Sequence, residues 1–381
     1  LIIFINESSN LSNSSLILFS FSFLNGDIYI IGLFKNYYIY PHMYSENLKL
    51  NNQISTWLII MFWIISAMIV VGGLTRLTDS GLSITQWQLF SGFLPPLTQN
   101  DWVYYFDLYK KIPEYKLQNF NMSLDEFKII FWWEWFHRFL GRLIGIFFLI
   151  PLVFFTLKIG IKKTISFHII FFLICFQGVV GWFMVSSGLV NRVDVSHFRL
   201  SLHLTTAFII LSLILWQILK LKKLNKKQNQ FIKYNLPSIF LFTIFLQIII
   251  GAFVSGMDAG KIYNTWPLMG NNYFPDDNSL FNLFNLNALS DPSLVQFLHR
   301  NLAYIILLIF FIILYFVLNY RLLKFYSIIK ILGTVLVIQI ILGILTILNG
   351  AQILIASMHQ ISSIALISFS IYFLFLNTKK I

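Results

Sequence analysis

The sequence predicts an all-α polytopic membrane protein, with eight transmembrane helices arranged as two parallel-repeat four-helix bundles. Three observations carry that prediction: the composition, the length of the apolar runs, and an internal repeat. Of 381 residues, 57% are hydrophobic and 11% charged, against roughly 25% charged in soluble domains. An ordinary soluble enzyme is excluded. Several apolar stretches reach about 20 residues, the length that crosses about 30 Å of hydrocarbon.

The net charge of +12 does not point to nucleic acid, because the bases fall in short loops between apolar runs. The chain starts at Leu1, which predicts an incomplete or processed front. Residues 1–55 read as a leader or tail of unknown structure. They lack the Arg-rich, acid-free pattern of a transit peptide, and Asn25, Gly26 and Asp27 interrupt the apolar patch at 16–34. Spans are predicted near 56–74, 131–156, 165–187, 197–219, 235–256, 293–318, 326–348 and 352–376. Lys158, Lys162 and Lys163 follow the second. Lys220, Lys222, Lys223, Lys226, Lys227 and Lys233 follow the fourth, Arg321 and Lys324 the sixth, and Lys379 and Lys380 the eighth. All fall on one side, as the positive-inside rule requires of an even span count with both ends inside. The long 75–130 segment then lies outside.

The two halves repeat. Gly72-Gly73 and Trp87 match Gly251-Ala252 and Trp266 at an offset of 179. His137-Arg138 matches His299-Arg300 at 162, as Gln177, Gly181 and Gly188 match Gln339, Gly343 and Gly350. His203 matches His359 at 156. The offset changes only in connecting loops, as duplicated helices with variable links require. Four spans per unit make the repeats parallel about the membrane normal. The expected organisation is a leader at 1–55, an N-terminal bundle at 56–220, a basic linker at 221–234, a C-terminal bundle at 235–376 and a tail at 377–381.

Histidine is costly in hydrocarbon, so an intramembrane histidine is a functional candidate by default. Four of seven obey the repeat, His137, His203, His299 and His359, all near the outer ends of even-numbered spans. A heme iron held by two imidazoles needs one histidine on each of two facing helices at matching depth, and each half supplies such a pair. The bland alternative for any one of them is a hydrogen-bonded structural residue. His42 and His168 read that way, and His197, six residues before His203, reads as a loop-edge residue. Cys175, the single cysteine, excludes an intramolecular disulfide and reads as a small packing residue.

Glu134 precedes His137 by three and shares its helix face; Gln296 stands at the equivalent place. One carboxylate therefore makes two similar sites chemically unequal. It either pairs with Arg138 one turn on, or handles protons and developing charge at a reacting heme. Arg138, Arg142 and Arg300 are candidates for the carboxylates that a heme carries. The glycine-rich stretches 72–76 and 256–260 read as tight turns covering the sites, and no phosphate-cradling loop is present.

These residues resemble the heme A synthase family. Segment 72–84 resembles its first loop, and Glu134, His137 and Arg138 within 127–142 match its Glu-x-x-His-Arg signature. Segment 199–204 is similar to its second histidine block and 263–270 to its second-half loop. His299-Arg300 and His359-Gln360 match the last two histidines. The resemblance spans about 56–376 and is closest to the mitochondrial and alphaproteobacterial branch, the loop cysteine pair of some bacterial members being absent. Two departures stand out. His197 replaces a non-histidine polar residue and could rival His203, and Gln352 replaces a common proline at the entry to the last span.

The resemblance implies an oxidoreductase that oxidises the C8 methyl of heme O to a formyl group by successive hydroxylation, giving heme A for cytochrome oxidase assembly. It implies that His137 and His203 ligate the substrate heme iron, flanked by Arg138 and Arg142, with Glu134 as the essential carboxylate. It also implies that His299 and His359 ligate a heme b cofactor beside Arg300. The expected partners are an electron donor such as a ferredoxin, heme O synthase, oxidase assembly proteins, membrane lipid and a second copy of the chain, with no nucleic acid. The Asn- and Lys-biased composition points to the mitochondrial inner membrane, with a bacterial plasma membrane as the alternative. Rival readings are a two-heme electron carrier reacting with quinone, which needs no carboxylate in one half only, and a transporter, which needs polar groups near the midplane.

Overall fold

The computed structural model describes residues 19–23, 26–30, 48–87, 91–190, 192–222 and 231–378. His42, Lys223, Lys226, Lys227, Lys379 and Lys380 lie outside the described residues. The chain divides into two compact units, Leu1–Asn52 and Gln53–Ile381. Within the first, β1 (Phe19–Phe23) and β2 (Gly26–Ile30) form an antiparallel hairpin pairing Phe19 with Ile30. No structure was predicted there, although Phe-Ser-Phe-Ser-Phe has the two-residue period of a strand.

Among the described residues, eight helices are long and apolar enough to cross a membrane, as predicted. They are α1 (Leu48–Leu77), α4 (Leu124–Ile159), α5 (Ile161–Ser186), α6 (His197–Leu221), α7 (Leu236–Gly256), α8 (Pro292–Asn319), α9 (Tyr326–Leu348) and α10 (Ile353–Asn377). Their ends follow local chemistry. Ser123 opens α4 with a capping box, its side chain accepting from the Glu126 amide while Glu126 accepts from the Ser123 amide at 2.8 Å. This satisfies two amides that an uncapped helix leaves orphaned. Asp291 caps α8 on the Leu294 amide at 3.0 Å, with Pro292 at the first position, where a missing N–H costs nothing. Gly160 sits at φ +85° between α4 and α5, a conformation that a side chain resists.

Between lipid-immersed helices, packing and interhelical hydrogen bonds replace hydrophobic driving force. Buried Trp57 on α1 stacks within 4.8, 5.5 and 5.6 Å of Phe148, Phe155 and Phe167 and donates to the Phe147 carbonyl at 3.2 Å. Helix α4 packs on α5 and α5 on α6; α7 packs on α8 and α9 on α10; α6, α7 and α10 meet one another. Ser201 on α6 donates to the Ile249 carbonyl of α7 at 3.1 Å, and Gln360 on α10 to the Ile69 carbonyl of α1 at 2.8 Å.

The 75–130 segment, expected as a connection, folds into a helical cap. Helix α2 (Gln99–Tyr109) starts at a Thr98–Asp101 capping box and α3 (Pro113–Leu117) follows. Leu82, Phe106, Tyr109, Ile112 and Val195 pack there against Phe127, Ile130 and Phe131 of the first turns of α4. These turns are therefore part of the cap, which is why α4 starts seven residues before the predicted span.

Glu114 of α3 is buried at 3% exposure with Oε2 unpartnered. Burial pushes its carboxyl up to about 8, helped by the negative charges of Glu134, Asp194 and Asp79. Its folded pKa lies above the carboxylate value, so between about pH 4.5 and 8 the folded chain binds the extra proton. Stability therefore falls as pH rises through that window. Thermal unfolding of Glu114→Gln should lose this dependence, keeping at pH 8 a midpoint that the parent chain has only near pH 5. The difference should be at most a few kcal/mol.

Candidate functional site

The four repeat-related histidines form two pairs. His137 (α4) faces His203 (α6) with ring centres 6.5 Å apart, and His299 (α8) faces His359 (α10), also at 6.5 Å. His203, His299 and His359 sit six, seven and six residues inside their helices (203−197, 299−292, 359−353). His137 lies thirteen residues inside α4 (137−124) because that helix begins in the cap.

A glycine on a neighbouring helix backs each ring. A Cβ at Gly72, Gly181, Gly251 or Gly343 would stand 2.9, 3.1, 2.9 or 2.9 Å from Cε1 of His137, His203, His299 or His359. The repeated glycines thus make room for imidazoles. This corrects the expectation of turns at 72–76, which are helical and continue α1 to Leu77.

Each of these four glycines has a defined residue one turn earlier. Gln177 on α5 donates to the His203 carbonyl at 2.9 Å, and Gln247 on α7 to the His299 carbonyl at 3.0 Å. The Gln339 amide on α9 lies 3.3 Å from His359 Nδ1, and that nitrogen meets the Gln339 carbonyl at 3.1 Å. The Gln339 amide also lies 3.4 Å from Nε2 of His359, and the Gln247 amide 3.3 Å from Nε2 of His299. On His137, His203 and His299, Nδ1 is buried without a hydrogen-bond partner.

Two imidazoles on opposite sides of one metal, each bonded at about 2 Å, hold their ring centres roughly 6 Å apart. Both pairs have that spacing. Among the described residues no group of three or more His, Cys, Asp or Glu is placed to hold a bare metal ion. A porphyrin iron needs only two protein ligands, because the macrocycle supplies the other four. The donor sets therefore fit hemes.

Glu134 is buried at 2% exposure. It accepts from Ser83 Oγ and the Ile84 amide at 2.7 Å each, and from Arg138 Nη2 at 2.5 Å. Arg138 also donates to the Ile84 carbonyl at 2.8 Å. The carboxylate is thus paired with the arginine one turn on, and both hold the loop that follows α1. The second half repeats the clamp in register, since 84 + 179 = 263. Arg300 donates to the carbonyls of Tyr263 and Thr265 at 2.9 Å each, and Gln296 Nε2 to that of Tyr263 at 3.1 Å. One half takes the loop's N–H with a carboxylate; the other gives an N–H to its C=O.

Arg138 and Arg300 direct N–H groups to loop carbonyls, Arg138 also donates to Glu134, and Arg300 Nε is buried without a protein partner. Arg142, one turn beyond Arg138, lies 5.9 Å from the Phe93 ring centre.

Sequence reading missed several residues around the pairs. Arg76, the last cation of α1, contacts Asp79 at 2.6 Å, Asp258 at 3.1 Å, Asp194 at 3.8 Å and the Ser255 carbonyl at 2.9 Å, tying the loops of both halves together. Asp79 and Asp258 are repeat partners (79 + 179), and both adopt left-handed backbone, φ 48° and 51°. The shared offset was the signal that could have found them. His197 is the first residue of α6, buried against Phe253 with ring centres 5.6 Å apart, and joins neither pair. His168 Nδ1 meets the Thr164 carbonyl at 3.1 Å, a structural contact as expected. Cys175 is exposed on α5, a surface position rather than the packing one predicted.

Residues 55–371 match the family of cytochrome oxidase assembly proteins. The chain is 48% identical over 331 residues to the heme A synthase of Pelagibacter ubique, covering 85% of this chain and 96% of that protein. It is 47% identical over 264 residues to the heme A synthase of Parvibaculum lavamentivorans, covering 68% and 76%. Against the heme A synthase of Flavobacterium psychrophilum it is 43% identical over 265 residues, covering 68% and 78%. With its histidine pairs, glycines and loop clamps in place, the chain belongs to the heme A synthase family of cytochrome oxidase assembly proteins.

Proposed function

We propose that the chain converts heme O to heme A by oxidising the C8 methyl to a formyl group through successive hydroxylation. The observation that carries this reading is the inequality of two otherwise matched sites, with Glu134 in one and Gln296 in the other. A chain that only passed electrons between two hemes would have no use for it.

In this reading residues 56–220 and 235–376 are the two repeated four-helix bundles, joined by the basic linker 221–234. His137 and His203 hold substrate heme, while His299 and His359 hold a heme b. Bound heme supplies the redox chemistry, and the protein supplies position and field. Glu134 places its carboxyl group beside the substrate site as the group that handles a proton there. Arg138 and Arg300 act as clamps that keep the loops at 83–86 and 263–268 closed over their sites and exclude water. Arg142 remains the first-half candidate for a heme carboxylate. The farnesyl tail of the substrate is apolar and so should enter from the lipid side.

The electron donor is of the ferredoxin class, and heme O synthase and oxidase assembly proteins are the expected neighbours, with self-association as a further expectation. The Asn- and Lys-rich composition supports the mitochondrial inner membrane, while the bacterial relatives support a plasma membrane.

Three measurements test this. Membranes carrying the chain together with a heme O source should yield heme A on pigment extraction and mass analysis; a quinone-reactive carrier would yield none. Glu134→Gln keeps the shape that Gln296 has in the other half, so it should keep bound heme while formyl formation drops about 100-fold or more. Full activity would end the proposed role. Glu134→Ala is a harsher change, since it leaves a buried guanidinium uncompensated at roughly 3–5 kcal/mol. His299→Ala or His359→Ala should abolish the b-type spectrum while substrate heme still binds. The opposite order would mean that the two sites are exchanged.

A further inference from the structure

The four histidines share one supporting pattern, broken at one place. On the helix facing each ring, a glycine backs the imidazole, and the residue one turn earlier is Gln177, Gln247 or Gln339 in three cases. In the fourth it is Met68, four residues before Gly72 as Gln247 is four before Gly251. Gln177 and Gln247 tie the backbone of the histidine turn to the neighbouring helix, and Gln339 holds the His359 ring, with Ser362 donating to the Gln339 side chain. Met68 has no N–H to give. Its Cε lies 3.4 Å from where a Cβ at Gly141 would stand, one turn beyond His137. The register partner of Gly141 is Ala303 (141 + 162). The first half thus has a flexible thioether and a missing methyl where the second has an amide and a methyl.

We propose that Met68 makes His137 the exchangeable ligand of the protein, the imidazole that swings aside when substrate heme enters and product heme leaves, while Gln247 keeps His299 in place. This rests on the assignment of substrate heme to the first half. A heme gripped by two imidazoles leaves only when one lets go, and a resident heme must not. An interhelical hydrogen bond within a membrane is worth about a threefold change in equilibrium, and a thioether adapts to a moving neighbour through three rotatable bonds. His203, pinned by Gln177, stays as the anchor in the same site.

Carbon monoxide is the probe, because it binds a ferrous heme held by two imidazoles only after one has dissociated. The experiment uses the purified full chain with hemes bound, reduced and mixed with carbon monoxide. The red-shifted absorption of a formyl-bearing heme separates the first site from the b-type heme. Carbon monoxide should react faster at the formyl-bearing heme. Met68→Gln should slow that reaction about threefold, and Met68→Leu, which adds no donor, should leave it unchanged. Gln247→Met should speed the reaction at the b-type heme by a similar factor. That arm removes a bond without adding a buried amide, and so reads out even where Met68→Gln disturbs folding. Equal rates in the parent chain, Met68→Gln and Gln247→Met would overturn the proposal, as would slowing by Met68→Leu as large as by Met68→Gln. If Met68→Gln slows the b-type heme instead, the role of the missing amide is supported and the assignment of the two halves is what fails.

Discussion

Four imidazoles carried inside apolar helices impose the constraint from which the rest of the structure follows. A histidine ring inside a bundle needs space, and it needs partners for two nitrogens and for the turn that carries it. Space comes from Gly72, Gly181, Gly251 and Gly343; a methyl would collide with the ring at three of them and crowd it at Gly181. Partners come from Gln177, Gln247 and Gln339. Three buried Nδ1 atoms remain without a protein partner, which in a low-dielectric interior is expensive unless a ligand completes the site. Glycines placed only for close helix packing would have no reason to stand opposite histidines all four times.

The same histidine helices also govern what lies above them. Arg138 and Arg300 each follow their histidine by one residue, and each reaches out to carbonyls of the loop that follows α1 or α7. Guanidinium suits this work because its fan of donors can hold several carbonyls at once. Arg76 joins the two loops through Asp79, Asp194 and Asp258. A displacement of either loop is therefore felt by the histidine helix below it and by the loop of the other half. The cap of α2 and α3, packed on the first turns of α4, adds weight to one side only.

Much of this was legible in the sequence, and the parts that were not have physical reasons. The spans were readable because a 20-residue apolar run has few other uses, and the histidine pairs because a duplicated chain repeats its costly residues in register. The cap was missed because its helices are short and amphipathic against a local core, so that the hydropathy that finds spans passes over them. Thr98 and Asp101 did carry a capping signal. Gln247 was missed for a different reason: its register partner is Met68, so the repeat that exposed Gln177 and Gln339 hides it. The arginines were identified as site residues, yet their contacts with backbone could not be read, because carbonyl positions leave no trace in residue identity.

Duplication itself explains why the informative positions are those at which the halves disagree. Two copies of one bundle would begin with the same ring spacing, the same glycines and the same clamp, and both histidine pairs have the 6.5 Å separation. A position free to drift would differ by chemically idle changes, such as one aliphatic residue for another. The differences around the histidines are of another kind. Glu134 against Gln296 exchanges a charge that accepts a loop N–H for an amide that donates to a loop C=O, and Met68 against Gln247 exchanges a hydrogen-bond donor for none. Both leave shape nearly untouched while altering what the site can do to a bound group, one through its field and the other through its grip. Because they fall on the same half, the division of labour proposed above, with one heme reacting and released while the other stays, would account for both.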